Sequence, residues 1–135
     1  MSRASRVSEP GETRRRKSLG RTGEDAARTY LQSIGFAILQ VNYRRRGGEA
    51  DIIARNGRLV VFCEVKTRIG SGESREGYGR TQRRRLVELS EKFLNENGHL
   101  VSAVYELRYD LMVVGEGEDG KLEVKEHIED AFRPE

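Results

Sequence analysis

Two apolar runs separated by the dipeptide Asn56-Gly57 constrain the fold of this chain more than any other feature. The sequence EADIIAR (residues 49–55) precedes the dipeptide, and RLVVFCEVK (residues 58–66) follows it. Asn-Gly between two such runs is a strong signal for a two-residue β-hairpin turn. We therefore predict two neighbouring antiparallel strands, joined at this turn.

The other apolar segments surround this hairpin with helices and further strands. Thr22 is the candidate N-cap of a first helix, and Gly35 is its stop. Apolar residues recur at helical spacing at Ala27, Tyr30, Leu31 and Ile34, and again at Leu86, Leu89, Phe93 and Leu94. Strands are predicted over 36–43, 49–55, 58–66, 107–114 and 121–128, a second helix over 82–97, and a loop over 67–79. The order α-β-β-β-α-β-β predicts an α/β fold with a mixed sheet of about five strands flanked by helices, and the acidic, alternating last strand is expected at an edge.

The length and the two ends of the chain suggest one domain with a tail. The 135 residues are enough for one domain and too few for two of ordinary size. Residues 1–20 carry six cations against two anions and almost nothing to bury, so we expect a flexible basic tail before a single domain over 21–135. No apolar run approaches the roughly 18 residues of a membrane span, and no secretory h-region is present. With Cys63 as the sole cysteine, we expect a cytoplasmic protein without a disulfide.

Charge is strongly segregated along the sequence. Residues 44–85 carry twelve cations and five anions, a net charge of +7, whereas residues 106–135 carry four cations and ten anions, a net charge of −6. This polarity favours a basic face that binds nucleic acid, with an unevenly charged but inert surface as the alternative. The candidate contacts to backbone phosphates are Arg44, Arg45 and Arg46 in a basic turn, and Arg83, Arg84 and Arg85 at the start of the second helix.

Charged residues interrupt the two strands of the central hairpin. Side chains alternate along a strand, so Glu49 and Asp51 share one face of the first strand, and Glu64 and Lys66 share one face of the second. Pairing of Ile53 with Leu59 or Val60 is expected to bring Asp51 near residues 62–64. Such charges at the end of an apolar strand are unfavourable unless they are paired or bound to a metal.

One interpretation of these charges is a metal site. Asp51 and Glu64 supply hard oxygen ligands that suit Mg²⁺ or Mn²⁺, and the carbonyl of Val65 offers a third. The metal would polarise a phosphate oxygen and lower the pKa of a bound water, while Lys66 would orient that water or offset charge in the transition state. Glu24, in the first turn of the first helix, would join through water; alternatively the helix dipole alone explains its position. The alternative for the whole cluster is a structural ion pair of Lys66 with Glu64 or Asp51.

Four segments, in this order, resemble one known family. GRTGEDAARTYL, NYRRRGGEADIIARNG, LVVFCEVKTR and LRYDLMVV are similar to segments of the YraN-like family of small bacterial proteins, over roughly residues 19–132. That family is grouped with the PD-(D/E)xK restriction-endonuclease-like superfamily, near the archaeal Holliday-junction resolvases. The resemblance implies a restriction-endonuclease-like core, places Glu24, Asp51, Glu64 and Lys66 on the superfamily's active-site positions, and places Glu49 on the family's own acidic position. Gln82 stands where the family usually has a lysine opening the second long helix, so it joins the residues expected to handle nucleic acid.

These observations lead to a functional expectation with alternatives. The leading hypothesis is a magnesium-dependent nuclease that hydrolyses phosphodiester bonds in branched or otherwise non-standard DNA, with a homodimer left open because similar resolvases act as dimers. The alternative is a non-catalytic nucleic-acid-binding or scaffold protein that keeps the nuclease fold. A third possibility is an RNA-processing endonuclease that uses the same site.

Overall fold

The computed structural model describes residues 19–68, 80–102 and 106–131. The elements are α1 (Leu19–Ser33), β1 (Ala37–Arg45), β2 (Gly48–Asn56), β3 (Leu59–Arg68), α2 (Arg80–Glu96), the one-turn α3 (Gly98–Val101), β4 (Glu106–Glu116) and β5 (Leu122–Ile128). They confirm the α/β class and the order α-β-β-β-α-β-β, to which α3 adds a single turn. The predicted tail lies outside the described residues except for its last two, which belong to α1, and most of the predicted loop, 69–79, lies outside them as well.

The five strands form one mixed sheet in the order β1-β2-β3-β4-β5. Neighbouring strands are antiparallel except β3 and β4, which are parallel and are connected through α2. A parallel pair needs such a crossover, whereas the other pairs are joined directly by turns. The acidic strand β5 lies at an edge of the sheet, as its sequence predicts.

The apolar core has two layers, one on each side of the sheet. Ala27 and Leu31 of α1 pack on one side, and Leu86, Leu89 and Phe93 of α2 pack on the other, as their helical spacing predicts. Strand β3 contributes to both layers, because Val60 and Phe62 face α2 while Val61 and Cys63 face α1. This explains why the sequence of β3 is a continuous apolar run.

Two details of α1 differ from the prediction. The helix begins at Leu19, so Thr22 lies inside it and is not its N-cap. The sequence from Leu19 to Thr22 contains no proline, which would have prevented a helix from extending over these residues. Glu24 therefore lies in the second turn, and since the helix dipole acts mainly within the first turn, the dipole does not explain its position. Ile34 lies beyond the helix end at Ser33 and is 42% exposed.

The register of the central hairpin also differs from the prediction. Ile53 pairs with Phe62 rather than with Leu59 or Val60. The reason is the turn: Asn56 pairs with Leu59, so the two turn residues are Gly57 and Arg58, with Gly57 at a φ of 64°. A glycine tolerates this left-handed conformation at either turn position, so the dipeptide alone does not fix the register.

A buried polar cluster connects β4, β5 and α1. Asp110 is fully buried, and its carboxylate accepts two hydrogen bonds from Arg108, both at 2.9 Å. The ring of His127 lies between Asp110 and Tyr30, with its Nε2 2.8 Å from Asp110 and its Nδ1 3.2 Å from the Tyr30 hydroxyl. The backbone N–H of Asp130 donates a further hydrogen bond to Asp110 at 3.0 Å. These contacts fix the acidic edge of the sheet to the first helix.

Candidate metal and nucleic-acid site

The candidate site lies where the central hairpin opens. Paired residues of β2 and β3 end at Ile52 opposite Cys63. Beyond that point β2 stays paired with β1, and β3 stays paired with β4, so the sheet forks beside Asp51. Within the fork, the backbone N–H of Val65 donates a hydrogen bond to Asp51 Oδ2 at 2.7 Å. Because the N–H and C=O of one strand residue point to the same side, the Val65 carbonyl is directed to this side as well.

Glu64 lies on the other branch of the fork and has two partners. Its Oε2 is 3.1 Å from the ammonium of Lys66, which is the ion pair that the sequence allowed. Its Oε1 accepts a hydrogen bond from the Gln82 amide of α2 at 2.6 Å. The structure thus brings Glu64, Lys66 and Gln82 together. Gln82 was expected to contact nucleic acid, and the structure shows that its amide contacts the Glu64 carboxylate.

Two more carboxylates, Glu24 and Glu49, approach from the surrounding elements. Glu49 Oε2 forms an ion pair with Nε of Arg44 at 3.1 Å. Glu24 lies beside the side chain of Asn42. Burial raises the pKa of Glu24, the Asn42 amide opposes this, and the negative charge of Glu49 adds to the increase. The two carboxylates predicted from sequence to join the site therefore lie close enough to repel each other.

Asp51 shows the combined effect of this crowding. Burial, opposed only by the hydrogen bond from Val65, raises the pKa of Asp51, and the charges of Glu49, Glu24 and Glu64 raise it further, to about 7. Like charges that share a partly buried site disfavour the ionised form. A bound cation would reverse that balance. The fork is therefore an anionic cluster in which Lys66 and Arg44 pair with Glu64 and Glu49, while Asp51 has a backbone N–H as its hydrogen-bond donor.

The donor set fits a hard divalent metal ion. Asp51, Glu64 and the Val65 carbonyl offer only oxygen atoms, which Mg²⁺ and Mn²⁺ prefer. Among the described residues, no three His, Cys, Asp or Glu side chains are arranged around one metal position. Mg²⁺ is commonly held by one or two carboxylates, with water and phosphate oxygens completing its octahedron. Asp51 and Glu64 are two carboxylates of the kind that such sites use.

Glu49, Asp51 and Glu64 line a cleft of about 640 Å³. One wall is the turn between β1 and β2 with the start of β2, and the other is the first two turns of α2. The lining residues are Gly47, Gly48, Glu49, Asp51, Cys63, Glu64, Thr81, Gln82, Arg85 and Leu86. The volume accommodates a small polar group such as a nucleotide unit.

The predicted phosphate-binding arginines differ in their surroundings. Arg44 is exposed and is the ion-pair partner of Glu49. Arg46 at the β1–β2 turn and Arg83, Arg84 and Arg85 on α2 are exposed, as their positions predict. Arg45 instead forms a double hydrogen bond with Glu96 at the end of α2, at 3.0 and 2.8 Å. It also lies 4.2 Å from the centre of the Tyr43 ring. Arg45 therefore ties β1 to α2, which its place in a run of three arginines does not reveal.

Tyr43 also contacts Glu96, a contact that the sequence did not predict. Its hydroxyl donates a hydrogen bond to Glu96 at 2.7 Å, and burial together with that carboxylate raises the pKa of Tyr43 to about 12. Asn42, the residue before it, was missed as well, because asparagine in a strand pattern carries no signal for a contact with a helix 18 residues earlier.

The fold and the fork define a small α/β protein with an anionic, cation-compatible cleft beside exposed arginines. None of its described helices is both long and apolar enough to span a membrane. Residues 23–114 match the family model described as uncharacterised protein family UPF0102, and the chain belongs to that family. This confirms the resemblance to the YraN-like proteins. The matched range includes every predicted site residue from Glu24 to Arg85.

Bacterial relatives extend the match to nearly the whole chain. A UPF0102 protein of Frankia casuarinae is 39% identical over 121 residues, which cover 88% of this chain and 99% of the relative. A UPF0102 protein of Acidothermus cellulolyticus is 45% identical over 84 residues, which cover 61% of this chain and 64% of the relative. One from Pelotomaculum thermopropionicum is 37% identical over 119 residues, covering 87% and 97%. The names of these relatives give the family and no activity.

Proposed function

We propose that this protein is a Mg²⁺- or Mn²⁺-dependent nuclease that hydrolyses phosphodiester bonds. The observation that carries the proposal is the environment of Asp51, a partly buried carboxylate that three other carboxylates surround and that one backbone N–H stabilises. Without a cation, such a cluster is electrostatically unfavourable. With one, it has the oxygen ligands that phosphoryl chemistry uses.

The residues of the fork have distinct roles in this proposal. Asp51, Glu64 and the Val65 carbonyl would hold the cation, which supplies Lewis acidity toward a phosphate oxygen and lowers the pKa of a bound water. The ammonium of Lys66, held against Glu64, would offset negative charge that builds on the phosphate during hydrolysis. The Gln82 amide would keep the Glu64 carboxylate in its orientation. Glu24 and Glu49 would act without binding the cation directly, Glu24 through a water molecule.

The exposed arginines support nucleic acid as the substrate. Arg85 lines one wall of the cleft, with Arg84 next to it in the chain, and Arg46 directly precedes Gly47 of the other wall. A backbone that crosses the carboxylates would meet positive charge on both sides. Phosphate contacts of this type carry no sequence information, so the substrate is defined by shape rather than by sequence. Together with the resolvase resemblance, this favours branched or otherwise non-standard DNA.

The second candidate function is non-catalytic binding of nucleic acid. It is favoured by the partners of Glu64, since Lys66 and Gln82 engage both of its oxygens without a metal. In that case the fork is a structural cluster, and the arginines alone explain binding.

A cleavage assay separates the two functions. The substrates are four-way, flapped, linear duplex and single-stranded DNA, and a matched RNA, each with Mg²⁺, Mn²⁺ or EDTA. Lys66→Ala is compared with Lys92→Ala, which removes an exposed lysine of α2. We expect cation-dependent cleavage that Lys66→Ala lowers at least 100-fold and Lys92→Ala leaves unchanged, with nucleic-acid affinity similar in both. Binding without cleavage of any substrate would favour the second function, and cleavage of the RNA alone would change the substrate class.

A further inference from the structure

The two walls of the cleft touch each other. Gly48, at the start of β2, lies directly against Arg85 of α2. A Cβ on Gly48 would lie 3.5 Å from the carbonyl oxygen of Arg85 and 3.6 Å from its Cβ, which are ordinary van der Waals distances. The two walls are therefore in contact at this point, and the cleft does not continue between them.

Helix α2 rests on the fork at a second point, one turn earlier. The Gln82 amide donates a hydrogen bond to Glu64 Oε1 at 2.6 Å. Gln82 and Arg85 are three residues apart, which corresponds to about 4.5 Å along a helix axis. The first turns of α2 therefore bridge the two branches of the fork, from Glu64 of β3 to Gly48 of β2.

Further contacts hold α2 in this position. Arg45, at the end of β1, forms its double hydrogen bond with Glu96 at the other end of the helix. The Tyr43 hydroxyl donates a hydrogen bond to the same carboxylate, and the Tyr43 ring packs edge-on against Phe93, with ring centres 5.3 Å apart. Movement of α2 away from the sheet would break these contacts and expose the buried face of the helix. We therefore treat α2 as a fixed wall.

The floor of the cleft is the sheet itself. Cys63 lines the cleft although its side chain is fully buried on the side of α1, so the cleft reaches the backbone of β3. A phosphate that reaches Asp51 has to pass between the walls. A DNA duplex is wider than its own major groove, which is about 12 Å across, and cannot enter a space that one turn of a helix bridges. A single strand has one backbone and no partner strand to exclude.

We propose that the cleft admits a single DNA strand, and that the duplex part of a substrate stays outside on the exposed arginines. The inference rests on the proposed function for its consequence, because the strand that is cut would then be the unpaired arm of a fork or flap. Arg85, which lines the cleft, contacts the backbone of that arm, whereas Arg84 and Arg46 at the rim contact paired and unpaired strands alike.

The chemistry of the walls indicates how the strand is held. The lining residues within the described part of the chain include no aromatic side chain on which a base could stack. Phosphate contacts therefore supply most of the affinity, so binding depends strongly on salt and little on sequence.

Binding in EDTA tests the preference without hydrolysis. The probes are a blunt DNA duplex and a duplex with one unpaired arm and the same number of phosphates. Fluorescence anisotropy should show about tenfold tighter binding of the armed probe, the effect of one charge-assisted contact. Arg85→Gln should remove most of this gain, whereas Arg84→Gln, which changes a neighbouring arginine outside the lining, should weaken both probes equally. Equal affinity of the parent for both probes, or an equal effect of Arg85→Gln on both, would overturn the proposal.

A cross-link between the walls tests whether the cleft has to open. The Cβ separation of 3.6 Å between positions 48 and 85 is within the range of a disulfide. The double variant Gly48→Cys with Arg85→Cys can therefore be compared in its oxidised and reduced forms, and Gly48→Cys alone, given the same oxidant, controls for the buried Cys63. We expect both forms of the double variant to cut the unpaired arm at the same rate, although more slowly than the parent. Cleavage by the reduced form alone would show that the walls must part, and it would overturn the proposal.

Failure of this inference and failure of the proposed function give different results. If the parent cuts no DNA with Mg²⁺ or Mn²⁺, the proposed function fails, while the anisotropy comparison still decides whether the cleft takes a single strand. If the parent cuts the blunt duplex at internal positions as fast as it cuts the arm, the nuclease function stands and the single-strand inference is overturned.

Discussion

Asp51 and Asp110 are both withdrawn from solvent in the same sheet, yet their surroundings are opposite. Burial raises the pKa of Asp110, but hydrogen bonds from His127, Arg108 and the Asp130 backbone outweigh it, so the pKa is lower than usual. The side chain of Asp51 is more exposed to solvent than that of Asp110. It receives one stabilising backbone N–H, and its pKa is raised to about 7. The protein therefore supplies Arg108, His127 and a backbone N–H to Asp110, and a single backbone N–H to Asp51.

The difference teaches how to separate a structural carboxylate from a functional one. Burial alone does not distinguish them, because the fully buried Asp110 is the more acidic of the two. The distinguishing property is whether the protein itself completes the coordination of the carboxylate oxygens. At Asp110 it does, and at Asp51 it leaves a charge that an added cation can balance.

The largest effect is expected from neutralising the satisfied aspartate. Asp110→Asn removes the charge that holds Arg108 and His127, and it leaves the mostly buried Arg108 with the more distant Glu129 carboxylate, at 3.7 Å, as its ion-pair partner. Loss of one partner of a buried ion pair typically lowers the free energy of unfolding by about 3–5 kcal/mol. Urea denaturation at pH 7 measures it. A loss below about 1 kcal/mol would show that the Asp110 cluster is not a major support of the fold.

The same substitution at the fork is expected to act in the opposite direction. Because the folded-state pKa of Asp51 is raised from 3.8 to about 7, folding binds a proton between these values, and Asp51 destabilises the metal-free protein as pH rises through this range. Asp51→Asn keeps an acceptor for the Val65 N–H and removes the charge. At pH 8 in EDTA it should raise the free energy of unfolding by on the order of 2–4 kcal/mol, and at pH 4 the gain should largely vanish. Equal effects of Asp51→Asn at both pH values would contradict the raised pKa.

A smaller contrast is expected between two neighbouring arginines. Arg45→Gln breaks the double hydrogen bond with Glu96 and should lower the urea concentration at the unfolding midpoint slightly, because exposed ion pairs contribute little to stability. Arg46→Gln removes an exposed side chain and should leave that midpoint unchanged. On duplex DNA the ranking reverses: Arg46→Gln should reduce the slope of log affinity against log salt by roughly one unit, and Arg45→Gln should reduce it less. A larger slope change for Arg45→Gln would mean that this arginine leaves Glu96 to contact phosphate.

Much of the fold was predictable because it follows from local patterns. The apolar run of β3, the helical stripe of α2 and the acidic edge strand β5 each lie where their periodicity predicts. The pairing of Asp51 with the region of Glu64 was also predictable, because a hairpin brings together residues close in sequence. The exact register was not, since Gly57 can occupy either position of the turn.

The contacts that were not predictable join residues far apart in the chain. Gln82 and Glu64 are 18 residues apart, and Arg45 and Glu96 are 51 apart. No local sequence pattern connects the residues of either pair, because they come together only where α2 crosses the sheet. The φ of 52° at Asn42 in β1 was also not predictable, because asparagine occurs in turns and at strand ends with either sign of φ.

Calorimetric titration of the full chain with Mn²⁺ at pH 7.5 tests the central claim, that Asp51 and Glu64 hold one divalent cation between them. We predict one ion per chain, with affinity lowered at least tenfold by Asp51→Asn and by Glu64→Gln, and unchanged by Glu91→Gln, an exposed carboxylate of α2 that serves as the matched control. Circular dichroism of each variant confirms that it is folded. Binding of equal strength in the parent and in both site variants would contradict the account and leave the fork as a structural cluster.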